Sequence, residues 1–339
     1  MSLIPHNRPT LGLEEEDAAL RVIRSGWVAQ GPEVESFEKE FATFMNIDKQ
    51  NVVAVANGSA ALFLALNSLY PKNKKISFPA YTCAAIRGVT TLCNGIENLI
   101  DVSKNTPNID LNELKNNNSN IAIIPHMYGI PSVIPNNLSQ KIIEDCAQSL
   151  GSKVNGTYVG TQGLIGTFSF HATKIITSGG QGGMIVSKDK NLIGKIRETR
   201  EYGSQENKSR LNFQMTDIQA AIGREQLKKL PSFISRREQI FQQYKNAGLD
   251  LLDVPIGFDD KITPIRYRAI MKTKNPAKII DLLSEHQIRA TVLIGYSGLL
   301  GDPNLFPNTA TLTHECVSLP IYPTLSDENI EKIIKIILN

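Results

Sequence analysis

Lys174 closes the run Thr167-Phe-Ser-Phe-His-Ala-Thr-Lys174, with apolar residues before it and Gly179, Gly180, Gly182 and Gly183 soon after. A lysine set between a strand and a glycine-rich loop suits covalent carbonyl chemistry, in which its amine forms a Schiff base with an aldehyde. Upstream, Lys141-Ile-Ile-Glu-Asp145-Cys-Ala-Gln148 reads as a buried strand ending in a carboxylate, with an amide three residues further on. An amine to hold an aldehyde and a carboxylate to keep a pyridine nitrogen protonated are the two groups that a pyridoxal 5'-phosphate (PLP) site requires. Taken singly, each has a plainer reading: most lysines are solvated, and an Asp after a strand commonly caps a helix.

A phosphate would also need a seat. Asn57-Gly58-Ser59-Ala60 follows an apolar run and opens a helical segment. Small residues there let backbone N–H groups approach an anion while the helix dipole favours its charge. An ordinary capped helix uses the same residues. Ser169, shortly before Lys174, offers a second hydroxyl, and the four glycines allow backbone angles closed to bulkier residues. His171, flanked by aromatics, reads as a packed, hydrogen-bonded histidine and receives no role.

The elements that must hold these groups follow from periodicity. Leu13–Arg24 carries its acids early and its arginine late, the order a helix dipole favours, and a second helix is expected from Pro32. Strands are predicted at 51–56, 75–78, 96–101, 121–125, 141–144 and 183–187, several of them separated by helices, which implies a largely parallel α/β sheet. Pro231 is expected to separate two long helices, 218–230 and 233–244. Beyond residue 264 the pattern becomes strand (265–271), helix (276–286), strand (289–294) and closing helix (327–338), suiting a small α+β domain. The chain of 339 residues exceeds what one core usually serves, so we expect a large α/β domain over 1–235 and a small domain over 236–339. The polar run 115–120 reads as a surface loop.

Composition excludes some classes. Hydrophobic residues make up 41% and charged ones 20%, and 36 Lys and Arg against 33 Asp and Glu leave +3, with no long cationic run to suggest nucleic acid. No stretch is long and apolar enough for a membrane span, and the N-terminus lacks the apolar stretch of a secretion signal, so a cytoplasmic location is expected. Cys83, Cys93, Cys146 and Cys316 form no CxxC pair and are expected as buried thiols, neither disulfides nor metal ligands.

Several segments in order, Ser25-Gly-Trp-Val-Ala-Gln-Gly31, Asn57-Gly-Ser-Ala-Ala-Leu62, Glu144-Asp-Cys-Ala-Gln148, Ser169-Phe-His-Ala-Thr-Lys174, Met215-Thr-Asp-Ile-Gln-Ala-Ala221 and Ser318-Leu-Pro-Ile-Tyr-Pro323, resemble the DegT/DnrJ-type sugar aminotransferases. The resemblance spans nearly the whole chain. It implies PLP fold type I architecture, usually as a homodimer with active sites at the interface. By the same resemblance, Lys174 holds PLP and shuttles protons, Asp145 pairs with the pyridinium nitrogen and Gln148 contacts the ring hydroxyl. Gly58, Ser59, Ala60 and Ser169 hold the phosphate, while Asn212 and Gln214 lie in the segment that reaches the partner subunit's site.

The resemblance also implies the reaction: an amino donor, expected to be glutamate, aminates the cofactor, which then aminates a keto sugar carried on a nucleotide, for polysaccharide or secondary-metabolite biosynthesis. Lysine at 174 fits transamination; the related sugar dehydratases carry histidine there. Three departures qualify the match. Cys83 stands where the family usually places an aromatic over the cofactor ring, Gln181 where it has Glu, and residues 293–300 lack a His-rich pattern. They leave two other readings, a catalytically weakened PLP- or sugar-binding regulatory homologue and an aminotransferase acting on a ketocyclitol.

Overall fold

The computed structural model describes residues 3–201, 211–295 and 298–339. It opens with helices α1 (Leu13–Ser25) and α2 (Pro32–Met45), then strand β1 (Val52–Val55), α3 (Gly58–Asn67), β2 (Lys75–Pro79), α4 (Ala84–Leu92), β3 (Ile96–Ile100), α5 (Leu111–Lys115), β4 (Ile121–Pro125) and β5 (Lys141–Asp145). Two short strands, β6 (Lys153–Val154) and β7 (Thr157–Tyr158), precede β8 (Ile165–Ser169), β9 (Gly183–Val186) and α6 (Lys190–Arg200). After α7 (Asp217–Asn246) come β10 (Ile262–Thr263), β11 (Ala269–Lys272), α8 (Pro276–Glu285), α9 (Pro307–Glu315), β12 (Cys316–Leu319) and α10 (Asp327–Leu338).

Seven strands form one sheet in the order β1-β9-β8-β5-β4-β2-β3. The pairs β8–β5, β5–β4, β4–β2 and β2–β3 are parallel, and β9 alone runs against its neighbours β8 and β1. Strands such as Ile-Ala-Ile-Ile-Pro in β4 are buried throughout, as both faces of a parallel sheet covered by helices require. One face packs against α2 and α7 through Phe37, Phe41, Phe168 and Phe170; the other packs against α3 and α6 through Leu64, Ile143 and Ile193. Asp217, buried at the start of α7, accepts the N–H groups of Gly31, Glu33 and Val34 and so caps α2 from another element.

A separate core contains Ile240, Phe241 and Tyr244 of α7, Ala269, Leu283, Val317, Leu319 and Ile333, with Ile4 from the N-terminal segment. It gathers around the two-stranded β11–β12 pair.

Several expected elements differ. Residues 217–246 form one helix, with Pro231 inside it, instead of two. Leu230 and Phe233, on either side, are both buried, and the helix continues past a residue that supplies no N–H. The expected boundary at 235/236 falls within this helix. The strand foreseen at 265–271 is shortened to β11, because Ile265 and Tyr267 direct their N–H groups to the Gly129 and Tyr128 carbonyls. The strand foreseen at 289–294 is reduced to an isolated bridge between Thr291 and Ser318. Cys83 is exposed, unlike the other three cysteines. Residues 296 and 297, within the divergent segment 293–300, lie outside the described residues. Among the described residues, no helix is long and apolar enough to cross a membrane.

Candidate active site

The parallel strands end together. Pro125 closes β4, Asp145 closes β5 and Ser169 nearly completes the approach to Lys174 from β8, while the N-termini of α3 and α4 point to the same edge. Open α/β sheets bind ligands at the carboxyl ends of their strands. A cavity of about 660 Å³ occupies this edge, lined among others by Gly58, Ser59, Cys83, Asp145, Gln148, Ser169 and Lys174. Its size falls within the roughly 300–1,000 Å³ of ligand pockets.

Lys174 is half-buried, and its Nζ lies 5.6 Å from the centroid of the Tyr267 ring. Asp145 is buried, with Oδ1 accepting the Ala147 N–H at 2.9 Å. Burial pushes the Asp145 carboxyl above its ordinary value, against the lowering effects of the Ala147 N–H and the Lys174 charge. A cationic ring nitrogen in the cavity would reverse that shift by supplying the missing charge partner.

Gln148 accepts the Tyr128 N–H through Oε1 at 2.8 Å, which leaves its amide nitrogen, 3.8 Å from Met127 Sδ, as the donor. At the start of α3, Asn57 Oδ1 accepts the Ala60 N–H at 2.8 Å. Ala60 is therefore committed to the helix cap and does not line the cavity, whereas Gly58 and Ser59 do. A Cβ on Gly58 would lie 2.6 Å from Ser169 Cβ, so this glycine lets α3 approach β8 closely.

These features fit PLP. An anion seat formed by a helix N-terminus and Ser169, a buried carboxylate and an amine share one cavity with Thr82, whose buried Oγ1 has no protein partner. Cys83, the residue before α4, lines the mouth. Tyr81 does not replace an aromatic there: its ring is buried on the other side, with its hydroxyl 2.7 Å from that of Tyr128. Asn212 is exposed and Gln214 half-buried; neither lines the cavity, and the Phe213 carbonyl between them accepts the Ala56 N–H.

Sequence reasoning missed His126 and Glu144. His126 lines the cavity; its Nδ1 accepts the Ser132 N–H, so Nε2 donates to Glu144 Oε2 at 2.9 Å. Glu144 also accepts the N–H groups of Gly160 and Gly163. Burial would raise the Glu144 carboxyl, but His126 and these backbone donors hold it below its ordinary value. The legible signal for His126 was its place just past a fully apolar strand, where sheet ligands gather. Glu144 left no such signal, because its partners come together only on folding.

The same architecture is found in solved structures: the putative sugar aminotransferase Spr1654 from Streptococcus pneumoniae, in its PLP form, matches with a TM-score of 0.87 at 22% identity, covering 98% of this chain and 97% of that one. In sequence, the spore coat polysaccharide biosynthesis protein SpsC of Bacillus subtilis is 29% identical over 98% of this chain and 95% of its own length. GDP-perosamine synthase of Vibrio cholerae is 27% identical, covering 99% of each chain. Residues 9–338 match the profile of the DegT/DnrJ/EryC1/StrS aminotransferase family, whose enzymes work with PLP, and the chain belongs to that family.

Proposed function

We propose that this aminotransferase moves an amino group from glutamate to the keto group of a nucleotide-linked sugar, in polysaccharide or secondary-metabolite assembly. The observation that carries the reading is the single cavity that joins Lys174, Asp145 and the Gly58–Ser169 approach. Its support for a nucleotide-sugar acceptor is the full-length similarity to GDP-perosamine synthase.

Bound PLP supplies an aldehyde to capture the amine and a ring that accepts electrons from the adjacent carbon. The chain's residues do the rest. Lys174 Nζ would hold the cofactor through its aldehyde and, when free, its amine would serve as the acid and base that moves the substrate's proton. Asp145 would face the pyridine nitrogen and keep it protonated. The Gln148 amide nitrogen would donate to the ring hydroxyl, while the Gly58 and Ser59 N–H groups and the Ser169 hydroxyl would hold the phosphate. His126, fixed by Glu144, forms part of the wall next to Asp145.

The reading includes a homodimer in which Asn212 and Gln214 serve the partner's site; Asn212 is exposed, Gln214 half-buried, and neither lines this chain's own cavity, which supports it. It also retains two domains, supported by the separate core around β11 and β12. Cys83 in place of a stacking aromatic motivates the weakened, regulatory reading. The two separate in a glutamate half-reaction: PLP-loaded protein should convert its cofactor to the amine form on adding glutamate. No conversion despite full occupancy would leave only a binding role. Offering keto-sugar nucleotides and ketocyclitols to the aminated enzyme then identifies the acceptor class.

A further inference from the structure

The peptide carbonyl of Thr173, immediately before Lys174, is held by two distant parts of the chain. The Tyr267 hydroxyl donates to it at 3.1 Å and Asn7 Nδ2 at 3.2 Å. Two donors use both lone pairs of that oxygen. The Tyr267 ring faces Lys174 Nζ at 5.6 Å, and the Arg268 guanidinium packs on the same ring at 4.2 Å while Nη2 donates to the Tyr267 hydroxyl at 3.0 Å.

Arg268 is costly to keep there. It is 7% exposed, its Nε and Nη1 have no protein partner, and among the described residues no carboxylate pairs with it. Leaving a buried cation without a counter-charge is strongly destabilising. Fully buried Arg237 adds a second cation, donating to the Tyr267 carbonyl at 3.1 Å and the Ile321 carbonyl at 2.8 Å. The backbone is strained as well: Arg266, one residue earlier, has φ +46°, and its side chain is tied down by Glu238 and Asp253. Strain of this kind persists where the surrounding structure imposes a position, commonly at functional sites.

We propose that Tyr267 and Arg268 are positioning residues that fix where Lys174 Nζ rests, Tyr267 through its ring and its bond to Thr173, Arg268 by holding that ring in place. The proposal rests on Lys174 being the reactive amine. The electrostatics agree with the geometry. Burial would raise the Tyr267 phenol, yet the charges of Lys174, Arg268 and Arg237 hold it below its ordinary value. Without the ring and its backing the amine keeps its access to the cavity and loses its aim, and misplacement of about 1 Å can cost roughly a hundredfold in rate.

Two reactions at Lys174 distinguish aim from access. Capture of PLP, trapped with borohydride and read by peptide mass spectrometry, should slow roughly ten- to hundredfold in Tyr267→Leu and Arg268→Met. Methylation of Lys174 by formaldehyde and cyanoborohydride in cofactor-free protein needs access alone and should keep its wild-type rate. Turnover should lose kcat while KM for glutamate stays within about twofold, the signature of a lost transition-state geometry. Tyr267→Phe, which keeps the ring and loses only the hydroxyl bonds, should fall between wild type and Tyr267→Leu. Wild-type PLP capture in folded Tyr267→Phe and Arg268→Met proteins overturns the proposal, as does a fall in formaldehyde methylation in step with PLP capture. A Lys174→Ala protein still trapped by PLP at this site would instead overturn the assignment of the lysine.

Discussion

Gly58 at the start of α3 lies against Ser169 at the end of β8, so closely that a methyl on Gly58 would stand 2.6 Å from Ser169 Cβ and 2.8 Å from its Oγ. The approach brings a helix N-terminus and a serine hydroxyl to one point, where a phosphate gains from both. Gly58→Ala must push the two elements apart. Overpacking of this kind costs about 1–3 kcal/mol. PLP affinity, followed by equilibrium dialysis, should therefore drop by roughly tenfold or more. Wild-type affinity in a folded Gly58→Ala protein would remove this point from the phosphate site.

Asp145 links activity to a loss of stability. Its carboxyl is raised above 3.8 by burial, which the Ala147 N–H and the Lys174 charge only partly offset. With a raised native value, the folded state holds a proton that the unfolded chain has released just above pH 3.8. The group's contribution is thus present below that value and lost as pH rises through the folded value, and the loss persists at neutral pH. Cofactor-free Asp145→Asn should melt higher than wild type at neutral pH. Its PLP-loaded form should lose kcat by roughly 10²–10³-fold, the scale of a removed electrostatic partner. Calorimetry and turnover check the two halves separately, and a lower melting temperature contradicts the first.

His6 supplies a stability term of opposite sign. Its Nε2 lies 2.8 Å from Ser318 Oγ, and burial first, then the Arg268 charge, pulls its value from 6.5 to about 4. Between those values the unfolded chain binds a proton that the native state refuses. Stability is complete above 6.5 and falls as pH drops toward 4, by up to about 3 kcal/mol at 1.36 kcal/mol per unit. Denaturant unfolding across that window should show the slope in wild type and a shallower one in His6→Gln. Equal slopes would show that His6 is not the group responsible.

Cys83 should be the one thiol of the four that reacts quickly in the native protein. It is exposed at the cavity mouth, while Cys93, Cys146 and Cys316 are buried. Burial also pushes the Cys93 thiol up to about 11 and Cys316 to about 12, depleting their thiolates. N-ethylmaleimide followed by peptide mass spectrometry should mark Cys83 first, and PLP loading should slow that labelling. Labelling indifferent to PLP would place Cys83 away from the cofactor.

What the sequence determined was local. The Lys174, Asp145–Gln148 and Asn57–Ala60 segments each carry their chemistry within a few residues, next to strands whose apolar runs mark them. The alternation of apolar strands with helices was enough to read the sheet, and the amine–carboxylate pair with the family resemblance was enough to read the cofactor. Tertiary structure decided what depends on distance through space. With Leu230 and Phe233 buried on either side, α7 continued past Pro231, Asn57 claimed the Ala60 N–H, and Tyr81 turned toward Tyr128 and left Cys83 alone at the mouth. Glu144 with His126, and Tyr267 with Arg268 and Thr173, gained their meaning from hydrogen bonds and charges between residues far apart in the chain. A local pattern cannot encode such pairs, because each partner alone looks like an ordinary buried polar residue.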